Sequence, residues 1–222
     1  MLTVSTCLCK NSFMPVRKLR KPAKKRPYHH GNLRDALIEA SLQLIEQKGI
    51  KGLTLREIGA AIGVSRMAAY RHFSDKAALL TAISEAGFVQ FAEALEAAKA
   101  SAGSDFPSQL AALALSYVRF AAKHRAHYEV MFSSAVDVSE PIRSASEAAK
   151  RAFGILEQTI REGQLNGYVR EGDSVTLARH VWAHVHGIST LRLEPDLSEH
   201  GAGTLFVLFC TALLQSGLIP AS

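Results

Sequence analysis

Three cysteines in 222 residues, Cys7, Cys9 and Cys210, are too few for a disulfide framework, which points to a reducing compartment. Cys7 and Cys9 supply only two thiolates, short of the four ligands that close a structural zinc site. No stretch alternates apolar and polar residues with period two for more than a few positions, so no sheet is expected. The larger, later part of the chain, residues 107–217, lacks a phosphate-cradling glycine loop, a nucleophile elbow and paired acids at a catalytic spacing. Enzymatic activity and a bound cofactor are therefore not expected. Met1–Phe13 has no long apolar run, and no secretory signal is expected; Met14 is an alternative start of translation. Internal repeats are absent as well.

Acid is also missing where base is abundant. Residues 1–30 carry eight basic side chains and no acidic one, for a charge of +8. Residues 31–76 add +2, and residues 77–222 sum to −4. A cationic front on a mildly anionic body suits a front that binds a polyanion and a body that must not stick to it. Nucleic acid and an anionic membrane are the two candidates. The run from Gly201 to Ser222 has no charge and is long enough for a spanning helix. Thr204, Thr211, Gln215, Ser216, three glycines and Pro220 confine its strongly apolar part to about ten residues, however, as a buried or interface helix requires. No membrane partner is expected.

Pro15, Pro22 and Pro27 interrupt residues 1–27, which read as an unfolded basic arm. Residues 28–76 read as a small helical head and 77–222 as a larger helical body, so the fold is expected to be all-α. Asn32 can cap a first helix, with Asp35 as its partner; Leu33, Leu37, Ala40, Leu44 and Ile45 then share a face and Gly49 ends it. Thr54-Leu55-Arg56-Glu57 is a capping box that opens a short second helix. Gly63 supplies a turn, Ser65 caps a third helix over Arg66–His72, and Ser74 caps a fourth. The fourth carries Leu79, Leu80, Ile83, Ala86 and Phe91 inward and is expected to be the only rigid link from head to body. Residues 100–107 read as a linker, followed by helices at 107–124, 126–134, 139–164, 173–192 and 199–217.

Residues 54–73 carry the chemistry. Two short helices joined by a glycine turn form the helix-turn-helix pattern. The first braces the second through Ile58, Ala61, Ile62 and Val64. The second must offer a slim, polar-tipped face to the major groove. Ala68 and Ala69 keep it thin, while Arg66, Tyr70, Arg71 and His72 supply donors. Tyr70 and Phe73 can also be read as core plugs, which we expect for Phe73, and Arg56 and Arg71 as solvated surface charge.

Tyr28-His29-His30-Gly31-Asn32-Leu33-Arg34, Leu53-Thr54-Leu55-Arg56-Glu57-Ile58, Gly63-Val64-Ser65, Tyr70-Arg71-His72-Phe73 and Asp75-Lys76 resemble the N-terminal domain of TetR-family transcriptional regulators. Trp182 followed by His186-Gly187 is similar to the C-terminal domain of one branch of that family. The resemblance implies a homodimer that binds operator DNA through its first three helices and a small-molecule effector through the later ones. It places Thr54, Tyr70, His72 and Lys76 against phosphates, with Ser65, Arg66 and Ala68 against bases or adjacent phosphates. Met67 stands where many members have glycine, and Ala69 where many have Leu, Ile or Pro. Met67 then either touches a thymine methyl or lies against the backbone. The implied location is the cytoplasm, on the nucleoid.

An arm of eight basic residues ahead of such a unit can follow the minor groove or the backbone. If about four of its charges neutralise phosphates, log K steepens against log salt by roughly 3.6 units per monomer. In the body, Tyr117, Phe120 and His124 share one helix face, and Tyr128, Met131 and Phe132 the next. Trp182 and His186 form another pair four apart. This aromatic set with few polar tips reads as an effector pocket or, equally, as core. His180 and His184, and His124 and His127, have spacings that can serve a metal, but no metal site is expected. Leu205, Phe206, Phe209 and Leu213 offer more apolar surface than one inner face needs, and are read as a dimer interface. A symmetric dimer demands a roughly palindromic operator. The competing readings are a DNA-binding dimer with a filled core and no effector, and a tail-anchored membrane protein.

Overall fold

The computed structural model describes residues 33–133 and 146–193. The basic arm, the Asn32 cap, the span 199–217 and with it the expected interface residues Leu205, Phe206, Phe209 and Leu213 lie outside them. Among the described residues there are eight helices and no strand. They run α1 (Leu33–Lys48), α2 (Leu55–Ala61), α3 (Arg66–His72), α4 (Lys76–Ser101), α5 (Phe106–Lys123), α6 (Arg125–Met131), α7 (Glu147–Leu165) and α8 (Ser174–Leu193).

Helix boundaries follow local capping chemistry. Thr54, Ser65, Asp105 and Ser146 each accept a backbone N–H from the first turn of the helix they precede. α4 is opened by Asp75 and not by Ser74: the Asp75 carboxylate takes the Ala78 N–H at 2.8 Å, and Ser74 donates to that carboxylate instead. A carboxylate is the stronger acceptor and also matches the positive end of the helix. The linker is shorter than composition suggests, because α4 continues to Ser101 and α5 begins at Phe106. The described part of α7 starts at Glu147, eight residues later than expected, with residues 134–145 outside the description.

Two apolar cores result. The head core gathers Leu37 and Ile45 of α1, Ile58 of α2, Ala69 of α3, Phe73, and Leu79, Leu80 and Ile83 of α4. Phe73 is thus a core plug, as expected. The body core gathers Phe91 and Leu95 of α4 with apolar faces of α5, α7 and α8. α4 is the helix among the described residues long and apolar enough to cross a membrane, but its apolar side is buried in these two cores.

α4 is not the only link. Ala126 and Val130 of α6 are buried in the head core, whereas Tyr128 and Met131 of the same helix are buried in the body core. The seven-residue α6 is therefore a second bridge. A helix here is expected from the sequence, at 126–134, but its double role is not, because a helix this short, apolar on two sides, shows no single amphipathic face. α4 crosses it closely: a Cβ on Gly87 would stand 2.7 Å from Met131 Sδ.

Candidate nucleic-acid interface

The α2–α3 unit is held from within. Thr54 Oγ1 accepts the Glu57 N–H at 3.2 Å and donates to Glu57 Oε2 at 2.8 Å. Glu57 Oε1 receives Lys48 Nζ of α1 at 2.7 Å, and these bonds, Lys48 first, hold the exposed carboxyl below its ordinary range. Gly63, at φ +75°, makes the left-handed turn that a side chain would strain. The Val64 N–H then returns to the Gly59 carbonyl at 2.9 Å. Small residues let α3 sit close: a Cβ on Gly59 would meet the Ala69 Cβ at 3.7 Å.

Burial divides α3 cleanly. Ala68 and Ala69 are 8% and 0% exposed, so the thinness they confer is on the inner side of the helix. Ala68, expected against bases or adjacent phosphates, is for this reason turned to the inner side of the helix. Arg66, Met67, Tyr70, Arg71 and His72 are exposed, Met67 to 71%. The Arg66 guanidinium carbon lies 5.3 Å from the centre of the Tyr70 ring, a cation–π pair one turn apart that pre-orders both side chains. Arg56 is exposed on α2, the next helix.

Three expected contacts are already engaged within the chain. The single Thr54 hydroxyl proton is spent on Glu57, leaving an oxygen lone pair. Ser65 Oγ accepts the Ala68 N–H at 3.2 Å, using a lone pair and not its proton. Lys76 Nζ donates to the Ile50 carbonyl at 2.6 Å and the Lys51 carbonyl at 3.4 Å, closing the turn after α1. An ammonium has three protons, so one remains.

In the body, the expected pocket residues do come together, as a packed aromatic cluster. Tyr117 and Tyr128 hydroxyls lie 2.8 and 2.9 Å from His186 Nδ1, and Tyr128 OH is 3.4 Å from Thr190 Oγ1. Trp182 stands edge-on to Tyr117 at 5.5 Å between ring centres, and Phe132 edge-on to His186 at 4.6 Å. Phe120 stacks on His124, and Met131 packs beside Gly87. Burial pushes Tyr117 well above the ordinary tyrosine range, with Tyr128 adding to the effect. Burial also raises Tyr128 and lowers His186, so near neutral pH all three are uncharged. The apolar cavity beside them, lined by Leu110, Leu113, Tyr117 and Trp182 among others, measures about 20 Å³, room for about one water. Sequence reasoning missed Thr190, which the i, i+4 step from His186 signals, and Phe91, which meets both Tyr117 and Trp182 from α4.

The metal spacings hold no metal cluster among the described residues. His184 Nδ1 is 2.7 Å from the His180 carbonyl, a bond within the helix.

Residues 37–83 match the family described as "Bacterial regulatory proteins, tetR family", and residues 110–207 match "Tetracyclin repressor-like, C-terminal domain". Over 53 residues the chain is 43% identical to the tetracycline repressor protein class C of Escherichia coli, a match spanning 24% of each chain. A solved structure of a protein with unknown function from Rhodococcus sp. RHA1 is 33% identical, with a TM-score of 0.72, over 87% of this chain and 99% of that one. The fatty acid degradation regulator FadR from Bacillus halodurans shares the fold, at 18% identity and a TM-score of 0.66, over 87% of this chain and 97% of its own.

Proposed function

The chain belongs to the TetR family of bacterial regulatory proteins, and from that premise we propose that it is a homodimeric, sequence-specific DNA-binding repressor of transcription, released from its operator by a small molecule. The observation that carries this reading is the outward side of α3, where Arg66, Met67, Tyr70 and Arg71 project from a helix whose two alanines are buried. Such a helix has the width and the donors to enter a major groove. Arg56 and the third proton of Lys76 add backbone contacts, and the +8 arm adds affinity that salt weakens. Pairing through the C-terminal segment that carries Leu205, Phe206, Phe209 and Leu213 sets two such helices on a roughly palindromic site. The work is done in the cytoplasm, on the nucleoid.

The switch is assigned to α6. A ligand larger than a water that enters the cavity beside Tyr117 and Trp182 must push its walls apart, and one that reaches the hydroxyls around His186 displaces Tyr128. Tyr128 moves α6, and Ala126 and Val130 carry the movement into the head core. Gly87, where no side chain separates α4 from α6, couples the two links. Release requires the ligand to prefer the DNA-incompetent arrangement. One observation favours a second reading, a DNA-binding dimer without an effector: the aromatic cluster is closely packed.

Selection of bound duplexes from a random pool, followed by footprinting, tests the proposal. The wild type should protect a palindromic site, and the double substitution R66A/Y70A should weaken binding by at least tenfold in a still-folded protein. Undiminished binding by that variant would overturn the reading. A thermal-shift screen with a metabolite library separates the two versions, since only an effector-responsive protein shows hits that also lower operator affinity.

A further inference from the structure

Met67 is the most exposed side chain of α3 that offers no hydrogen bond. It precedes the buried pair Ala68 and Ala69, and at about 100° per residue it lies some 200° round the helix from Ala69, on the side away from the core. Arg71, four residues on, shares its side. The exposed patch is thus one flexible thioether flanked by cations.

We infer that Met67 reads the C5-methyl group of a thymine in the major groove, so that each operator half-site requires a methylated pyrimidine at one position. The inference rests on the DNA-binding reading and goes beyond it. A thioether gives no proton and is a poor acceptor, so it can neither grip a phosphate nor read a hydrogen-bonding base edge. The thymine methyl is the apolar feature that a major groove presents. Methionine suits it, because the side chain is unbranched and polarisable and adapts its shape to the surface it meets. Self-association through the same patch would set Arg66 and Arg71 against their own copies, which opposes it. A duplex supplies both the methyl and the negative charge those arginines need.

The test uses the full-length protein and the duplex it selects. Each thymine is replaced singly by deoxyuridine in both half-sites, which removes the methyl and nothing else. At one symmetric position the wild type should lose about fourfold in affinity per half-site, the worth of one buried methyl group. M67A should bind the thymine duplex as weakly as the wild type binds the uracil duplex, and should be indifferent to the exchange at that position. Its melting temperature should match the wild type, since the side chain is outside both cores. Indifference of the wild type to every exchange, or an equal loss in M67A, overturns the inference while leaving DNA binding intact. If no duplex is selected at all, the DNA-binding reading falls with it.

Discussion

His186 Nδ1 is a single ring nitrogen that two tyrosine hydroxyls approach, at 2.8 Å from Tyr117 and 2.9 Å from Tyr128. A ring nitrogen makes one hydrogen bond, as acceptor or as donor according to tautomer. One hydroxyl is therefore redundant for Nδ1, and either can replace the other. Y117F or Y128F alone leaves the nitrogen partnered, so each should cost only an ordinary net hydrogen bond, about 1 kcal/mol. The double variant strands a half-buried nitrogen and adds the penalty of an unmade bond, about 1–2 kcal/mol beyond the sum of the singles. Urea unfolding at a fixed protein concentration measures all four corners of the cycle, the concentration being held because the proposed dimer would add to apparent stability. Additivity within about 0.5 kcal/mol, or a single variant costing more than about 2.5 kcal/mol, would refute the shared-nitrogen account.

Lys76→Met should lower stability by about 1 kcal/mol, because the Ile50 and Lys51 carbonyls lose their charged donor. It should also flatten the slope of log K against log salt by about one per protomer; an unchanged slope would make Lys76 a turn-closing residue alone. Burial lowers His186 and His127, so below about pH 6.5 the unfolded chain binds protons that the native chain refuses. Stability is then full above that pH and falls as pH drops toward the lowered native values, which urea midpoints between pH 7.5 and 5.5 would follow. His186→Gln should flatten the fall, and a rise in stability on acidification would contradict the assignment.

Much of the head was legible because its signals are local. Thr54 and Ser65 cap the helices expected of them, Gly63 turns, and Leu37, Ile45, Leu79, Leu80 and Ile83 are buried. Each depends on bonds or spacings within a few residues. Ser74 and Asp75 compete for the same cap, and adjacent acceptors cannot be ranked by pattern alone. Ala68 was harder: its size fits both a slim outer face and a close inner contact, and only the seat of α3 on Gly59 separates them. The aromatic residues of the body were identifiable, but their pairing was not. Tyr117 and His186 are 69 residues apart in sequence and meet because α5 and α8 pack together.

The order of amino acids by itself determined the helical class, the helix-turn-helix and the concentration of positive charge at the front, since these follow from periodicity, caps and counting. Tertiary packing alone decided that α6 belongs to both cores, that the Lys76 ammonium closes a turn, and that the aromatic set leaves only a water-sized space. The physical reason is distance along the chain. Capping and amphipathic spacing act within about one turn, whereas a buried side chain takes its partners from whichever helices the close-packed interior sets beside it.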